Sequence, residues 1–254
     1  MSVAAAGLAT FVELPLRGGP GVVQMRCDEG LLAGAAELTV RRYTWDPPAV
    51  SLGKFQAFDD GACRVLAAAG LDVVRRPSGG RLVLHGEGFE WSFAVIWPVG
   101  ALPYGTQAPY RLASAAMAAA LADLGVAVDA LRDEPYARSA LCFASALRHD
   151  LLVAGGKAVA VAQAVRGGRA LVHGSVLERR PPTALVRAVE SATGERWRGE
   201  GLAAGGAVPD ASALWAAFVG RLAVVGADGA GWVGLDRDVA GPGDSRVSRR
   251  EMRR

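Results

Sequence analysis

The sequence has no long hydrophobic run: no segment keeps 18 apolar residues without interruption, so it offers no candidate membrane helix. The apolar stretch at the start, MSVAAAGLATFVELPL, has no early basic residue and reaches Glu13 within its apolar run. A secretory signal needs a basic region before its apolar core, so this pattern argues against one. We therefore expect a cytoplasmic protein that does not bind a membrane.

Cysteine is scarce, and neither sign of charge is in large excess. Cys27, Cys63 and Cys142 are an odd number of cysteines without CxxC spacing, which indicates neither a disulfide framework nor a metal site. The 28 lysines and arginines against 25 acidic residues give a net charge of +3, and much of the basic excess lies in the terminal SRVSRREMRR. Such a mild balance does not favour a nucleic-acid partner.

The sequence is rich in apolar residues and glycine. It has 254 residues, of which 51% are hydrophobic, with 33 glycines and 13 prolines, enough to bury the core of one large domain. The last stretch is rich in glycine, serine and arginine, a composition typical of a loose terminus. We predict one large domain over residues 1–239 and a flexible, arginine-rich tail over residues 240–254.

Helical and alternating patterns follow one another along the chain. Apolar spacing, glycine stops and proline breaks predict helices at 24–37, 59–71, 110–125, 183–192 and 210–225. Branched and aromatic runs predict strands at 38–45, 71–76, 81–85 and 91–97. Residues 150–182 fit three strands joined by tight turns at Gly155-Gly156 and Gly167-Gly168. This mixture predicts an α+β fold with a mixed or antiparallel sheet flanked by helices.

The stretch RRPSGGRLVLH places two arginines before a glycine turn. Gly79-Gly80 fits a hairpin turn between two strands, but glycines also let an anionic ligand approach the main chain. Arg75 and Arg76 project to opposite faces of their strand, so at least one can reach a phosphate or carboxylate. The spacing is neither that of a phosphate loop nor that of a dinucleotide fingerprint. His85 ends the next strand, either at a pocket mouth or at a sheet edge.

Cys142 and Lys157 are the candidates for chemistry. A free cysteine is usually a small core residue, but a nearby cation raises the thiolate fraction that a nucleophilic cysteine needs. Lys157 opens the apolar strand KAVAVAQAV, where a lysine is either a solvated edge charge or a pocket residue. Gln163 lies six positions further on, so the two side chains should share a face and line one cavity. The segment His173–Ser175 adds polar groups nearby.

Five segments, in order, resemble motifs of one family. They are QMRCDEGLL, PPAVSLGKFQ, RRPSGGRLVLH, GGKAVAVAQ and LVHGSVL. Together they resemble the lipoate-protein ligase A and octanoyltransferase superfamily, cofactor transferases that share a fold with biotin protein ligase. Within it, the Cys142-Phe143 pair lies before Lys157 at the spacing of the cysteine-dependent octanoyltransferases. The resemblance therefore implies a biotin/lipoate protein ligase-like catalytic domain with a cysteine nucleophile.

The resemblance also implies roles for individual residues. Cys142 would attack an acyl thioester, and Lys157 would contact the acyl carbonyl. The remaining residues would border the acyl pocket: Arg75, Arg76, Ser78, Gly79, Gly80, His85, Gln163, His173, Gly174 and Ser175. The donor would be octanoyl-acyl carrier protein and the acceptor a lysine of a lipoyl domain or of glycine cleavage H protein. No cofactor or metal is implied for this reaction, because a thioester is already activated.

Three alternatives stay open from the sequence. The first is an ATP- and Mg-dependent lipoate-protein ligase, in which Arg75 and Arg76 would hold an acyl-adenylate. The second is an amidotransferase that takes its octanoyl group from another lipoyl protein. The third is a non-catalytic binding protein, because Gly86 replaces the family's usual Asp, and Ala160-Val161 its usual Gly-Ser, at positions expected to alter the pocket wall.

Overall fold

The structure is a computed structural model that describes residues 11–98, 106–129, 139–147 and 149–227. Within these residues it has five α-helices and nine β-strands. The helices are α1 Gly21–Gly34, α2 Asp60–Ala68, α3 Ala108–Asp123, α4 Thr183–Thr193 and α5 Ala211–Ala227. The strands are β1 Val12–Arg17, β2 Thr39–Tyr43, β3 Ala49–Leu52, β4 Asp72–Arg75, β5 Val83–His85, β6 Glu90–Pro98, β7 Leu151–Val153, β8 Gly156–Arg166 and β9 Arg169–Leu177. Cys142–Ala144 and Leu202–Gly205 form short 3₁₀ turns.

The strands form two sheets, where the sequence suggested one. The larger has the order β1-β2-β6-β9-β8-β7, with β1 and β2 parallel and the other neighbours antiparallel. The smaller has the order β4-β3-β5, with β3 parallel to β4 and antiparallel to β5. The predicted α+β fold with a mixed sheet and flanking helices is confirmed. The edge strand β1 was not predicted, because it is largely exposed and contains Pro15.

Three clusters of buried side chains hold these layers together. One packs the large sheet against α3 and α5, with Phe93 and Phe218 both at 0% exposure. Another packs α1 on the opposite face of that sheet, and the third joins the small sheet to α2 and α4. Each large apolar side chain buried in this way contributes roughly 1.5–3 kcal/mol. The two sheets are thereby fixed against each other around the space that holds the candidate site.

The two hairpins predicted between residues 150 and 182 are confirmed, but the first turn lies one residue earlier than the predicted Gly155-Gly156, because Gly156 already belongs to β8. β7 and β8 are joined at Ala154-Gly155, and β8 and β9 at Gly167-Gly168. All four turn residues have positive φ, which is the backbone that two-residue hairpins require. The five predicted helices are also confirmed, with ends displaced by a few residues.

The hairpin reading of Gly79-Gly80 is wrong. β4 and β5 are not paired with each other, because β3 lies between them in the small sheet. The segment between them is therefore a crossover loop that passes the end of β3. At this crossing the loops touch: a Cβ on Gly53 would lie 1.9 Å from the Gly80 carbonyl oxygen. Only glycine at position 53 leaves room for the crossover.

The predicted tail, residues 240–254, lies outside the described residues, and the extension of the domain to residue 239 stays a prediction. Across the described ranges, no helix combines the length and apolar character needed to cross a membrane.

Gly53→Ala should destabilise the fold by about 2–3 kcal/mol, because overpacking against backbone cannot be relieved by a rotamer change. Urea unfolding measures the loss. Gly79→Ala is the matched control, since a Cβ there meets nothing within 4 Å. Equal stability of the two variants would contradict the close approach of these loops.

Candidate active site

A cavity opens between the two sheets and encloses about 380 Å³, including its mouth. Both sheets and the 3₁₀ turn at Cys142 contribute to its wall. Among the described residues, the lining includes Trp45, Ser51, Arg76, His85, Cys142, Ala160, Val161, His173, Gly174 and Ser175. Six of the residues singled out from the sequence thus meet at one cavity.

Arg75 does not line this cavity. Its Nη1 donates to the carbonyls of Gly53, Lys54 and Gln56, at 2.7, 3.3 and 2.9 Å. The Gln56 amide in turn donates to the Ala140 carbonyl at 3.0 Å. Arg75 therefore holds the loop at residues 53–56, which supports the segment before Cys142. Its guanidinium is hydrogen-bonded to backbone carbonyls.

Arg76 lies on the other side of its strand and is buried. Its guanidinium donates to the carbonyls of Ser51, Gly79 and Arg81, at distances of 2.7–3.2 Å. Burial lowers the pKa of Arg76, while the charge of Cys142 opposes that shift. The predicted opposite projection of the two arginines is correct, and the glycine loop wraps around Arg76, with Gly80 at φ +97°.

The position of Cys142 is set by a short stretch of β-type pairing. Leu82 donates its N–H to the Ala140 carbonyl at 3.0 Å, and Cys142 donates its N–H to the Leu82 carbonyl at 2.9 Å. Glu195 holds the start of this segment by accepting from the Ala140 N–H at 2.7 Å. Cys142 is partly exposed and lines the cavity wall. It is reachable by a ligand, unlike a core cysteine.

Lys157 lies beside Cys142 and is buried. Its Nζ is 3.8 Å from Cys142 Sγ and donates to the Cys142 carbonyl at 2.7 Å. A third contact is an ion pair of 2.7 Å with Asp150 Oδ2. Burial lowers the pKa of Lys157, but the Cys142 and Asp150 charges outweigh it and the pKa is raised. An ammonium ion at this distance stabilises a thiolate.

The prediction that Lys157 and Gln163 share a face is wrong. The β7–β8 register steps from Leu151↔Val159 to Leu152↔Lys157, so one extra residue, Ala158, forms a bulge. A bulge reverses the alternation of side chains beyond it. Gln163 accordingly donates to the Thr106 carbonyl at 2.8 Å and does not line the cavity.

His173 is fixed at both ring nitrogens. Its Nδ1 lies 2.9 Å from Asp28 Oδ2, and its Nε2 lies 2.6 Å from Ser78 Oγ. Because a carboxylate only accepts, Nδ1 carries a proton, and Nε2 shares a hydrogen bond with the serine hydroxyl. Asp28 also accepts from the Tyr43 hydroxyl at 3.2 Å and lies 3.6 Å from Arg41. Burial, followed by the Asp28 charge, raises the pKa of Tyr43, which keeps this phenol a donor.

His85 is held in the same way on the other side of the cavity. Its Nδ1 lies 3.0 Å from Glu90 Oε1 and its Nε2 2.8 Å from Ser51 Oγ, while Trp45 stacks on the ring at 4.0 Å. With both ring nitrogens engaged, neither histidine is placed as a base for Cys142. Lys157 is an ionisable side chain in contact with the thiol.

The three unusual motif positions fall in different places. Ala160 and Val161 line the cavity, so this departure does alter the pocket wall. Gly86 does not: a Cβ there would lie 2.6 Å from the Phe89 ring, so Gly86 makes room for that side chain. Ser175, at 3% exposure, lines the cavity with a hydroxyl that has no hydrogen-bond partner among the described residues.

The sequence of this chain matches that of a known protein family. The family model described as the lipoyl protein ligase A/B catalytic domain matches residues 22–199, more than half of the chain. The chain belongs to this family. The family resemblance inferred from the five motifs is therefore confirmed.

Two relatives and one solved structure are similar to this chain. It is 36% identical to octanoyltransferase LipM of Symbiobacterium thermophilum over 62% of this chain and 61% of the relative. It is 34% identical to octanoyltransferase LipM of Kyrpidia tusciae over 66% and 65%. The chain thus spans less than two thirds of either relative. A T. acidophilum protein solved with bound lipoic acid has the same fold, with a TM-score of 0.62 at 20% identity, covering 85% and 83% of the two chains.

Sequence reasoning missed the carboxylates of this family site. Asp28, Glu90 and Asp150 contact His173, His85 and Lys157, respectively. Of these three, only Asp150 could have been predicted from the sequence, because the predicted tight turn between Asp150 and Lys157 brings the two residues together. The described residues contain no cluster of His, Cys, Asp or Glu suited to a metal ion.

Asp28→Asn should destabilise the protein by about 2–4 kcal/mol, because it leaves Arg41 and the His173 ring without their buried anion. Urea unfolding measures this loss. Glu29→Gln, at an exposed position of the same helix, should change the stability by less than about 0.5 kcal/mol. An equally small effect at Asp28 would contradict a structural role for the buried network.

Proposed function

We propose that this chain is an octanoyltransferase of lipoate biosynthesis. It would move an octanoyl group from acyl carrier protein, through a Cys142 thioester, to a lysine of a lipoyl domain or of glycine cleavage H protein. The observation that carries this proposal is the partly exposed Cys142, whose Sγ lies 3.8 Å from Lys157 Nζ. The naming of the relatives as octanoyltransferase LipM supports the same reaction.

In the first half-reaction, the Cys142 thiolate attacks the thioester carbonyl of the donor. A bond forms between Sγ and the acyl carbon, and the bond from that carbon to the carrier's sulfur breaks. The carrier leaves as a thiolate and takes a proton from water. The Lys157 ammonium stabilises the attacking thiolate, and afterwards the negative charge that develops on the carbonyl oxygen.

In the second half-reaction, the neutral amine of the acceptor lysine attacks the Cys142 thioester. An amide bond forms, the bond between Sγ and the acyl carbon breaks, and the Cys142 thiolate is restored. The amine nitrogen loses its proton to solvent. No ATP and no metal enter either step, because the energy of the donor thioester is kept in the acyl-enzyme.

The cavity supplies the acyl-binding site in this scheme. Arg76, His85 and His173 line the cavity, and their nitrogen atoms are already hydrogen-bonded within the protein. We propose that the acyl chain packs against the carbon atoms that these side chains expose to the cavity. Ser175 adds a hydroxyl free to bond the bound acyl group. Ser78, Gly79 and Gly80 act on the pocket indirectly, by positioning His173 and Arg76. We assign Arg75 and Gln163 no direct contact with the acyl group.

Acylation of the enzyme tests the proposal. The purified chain is mixed with octanoyl-acyl carrier protein and examined by intact-protein mass spectrometry. We expect a hydroxylamine-labile gain of one octanoyl group in the wild type and in Cys63→Ser, and none in Cys142→Ala.

Two other donors separate the alternatives. Modification that requires free octanoate and ATP would replace the transferase by a ligase. Acylation from an octanoylated lipoyl protein, with none from acyl carrier protein, would make the chain an amidotransferase. Binding of octanoate without any covalent product would leave a non-catalytic binding protein.

Lys157→Met should slow acylation of Cys142 by on the order of 100-fold, because it removes the cation that stabilises both the thiolate and the developing oxyanion. Single-turnover mass spectrometry gives the rate. Lys54→Met is the matched control, since Lys54 is the chain's only other lysine and is exposed. Equal rates in the two variants would remove Lys157 from the mechanism.

A further inference from the structure

We propose that Asp150 is a positioning residue that keeps Lys157 in its ammonium form through both half-reactions, so that Lys157 acts as a fixed cation and not as a proton acceptor. This inference rests on the proposed function. It concerns a carboxylate just before β7, which is 3% exposed.

The surroundings of Lys157 Nζ fit an ammonium ion. Three acceptors face it: Asp150 Oδ2 and the Cys142 carbonyl oxygen, both at 2.7 Å, and Cys142 Sγ at 3.8 Å. An ammonium ion has three N–H donors and no lone pair, so each acceptor receives one hydrogen. A neutral amine has two N–H donors, so its lone pair would face an oxygen acceptor or the sulfur, and in the acyl-enzyme the sulfur has no hydrogen to donate to it.

Asp150 is itself held by backbone. Its Oδ2 accepts from the Leu147 N–H at 2.8 Å, and its own N–H donates to the Leu147 carbonyl at 2.9 Å. The β7–β8 hairpin, in which Leu152 pairs with Lys157, then brings the carboxylate to the lysine. The carboxylate is thus directed at Nζ before any substrate binds.

The charges around Lys157 explain why a second anion matters. Burial and the Arg81 charge lower the pKa of Lys157, whereas Cys142 and Asp150 raise it. The other ionisable groups nearby act on Cys142 or Asp150: Arg76 faces Cys142, Tyr110 is coupled to both anions, and the His149 ring packs on Tyr110. Among the carboxylates that the structure describes, Asp150 is the one in direct contact with Nζ.

The Cys142 charge is lost when the acyl-enzyme forms, because a thioester is neutral. Burial and Arg81 still oppose the ammonium at that stage, and Asp150 is then the anion that holds the proton on Nζ. Without it, burial and Arg81 lower the pKa of Lys157 unopposed, so a smaller fraction of Lys157 would carry a charge to stabilise the oxyanion of the second half-reaction. Asp150 should therefore matter more for transfer out of the acyl-enzyme than for its formation.

Asp150→Asn separates the two half-reactions. We expect acylation at pH 7 to stay within about threefold of wild type, because the thiolate still favours the ammonium. Transfer to the acceptor should fall by at least about 10-fold. Removing the anion lowers the pKa of Lys157, so the loss of transfer at high pH should begin at least about one pH unit lower.

Two further variants guard against a merely structural effect. Asp150→Glu keeps the anion and should restore the basic limb of the pH profile toward wild type. Asp129 contacts the same hairpin by accepting from the Gly155 N–H at 2.6 Å. Asp129→Asn should leave the pH profile of transfer unchanged. Equal slowing of both half-reactions by Asp150→Asn, with no shift of its pH profile, would overturn the proposal.

The wild-type chain gives an independent measurement. Because it has only two lysines, Lys54 and Lys157, ¹⁵Nζ-lysine labelling produces two side-chain signals, and the Lys54→Met variant assigns them. We expect Lys157 to remain an ammonium in the acyl-enzyme at a pH where it does so in the resting enzyme. A switch to the neutral amine on acylation would overturn the role of Asp150. Failure of the wild type to acylate with any donor would instead overturn the proposed function, and the Lys157 titration in the resting enzyme would still test the ion pair.

Discussion

Burial of positive charge beside a single sulfur atom is the constraint on which this site depends. Arg76, Arg81 and Lys157 are each at most 7% exposed. A buried cation is tolerated only when its donors are satisfied. Arg76 meets backbone carbonyls, Arg81 donates to the Ser145 hydroxyl, and Lys157 meets Asp150. These partners fix the crossover loop, the Cys142 segment and the β7–β8 hairpin relative to one another.

Patterns within one element were enough to predict most of the fold. The helices followed from apolar spacing, and the β7–β8–β9 hairpins from their glycine pairs, because these signals are local. The crossover at Gly79-Gly80 was missed, since only the tertiary arrangement shows that β3 lies between β4 and β5. The bulge at Ala158 was missed for a similar reason: an extra residue in a ladder becomes visible only when the partner strand is known.

The candidate site was predictable in its motif residues and less so in their partners. Cys142 and Lys157 are close as expected, whereas Asp28 reaches His173 from 145 positions away. Such a contact has no trace in sequence spacing. The hydrogen-bond networks of His85 and His173 show that these two motif histidines have a structural role in the cavity wall. A histidine with both ring nitrogens engaged is a rigid wall, and buried networks of this kind hold a cavity in one shape.

The use of arginine in place of lysine along the chain fits the proposal that Cys142 carries an activated acyl group. Of its 28 basic residues, all but Lys54 and Lys157 are arginines. A guanidinium keeps its proton at any physiological pH and so cannot attack a thioester, whereas a neutral lysine amine can. Lys157 is held as an ammonium inside the site, which leaves Lys54 as the one exposed lysine side chain. In the proposed reaction, the amine that accepts the acyl group from Cys142 comes from the partner protein. Among the chain's own lysine side chains, only Lys54 is exposed for self-modification.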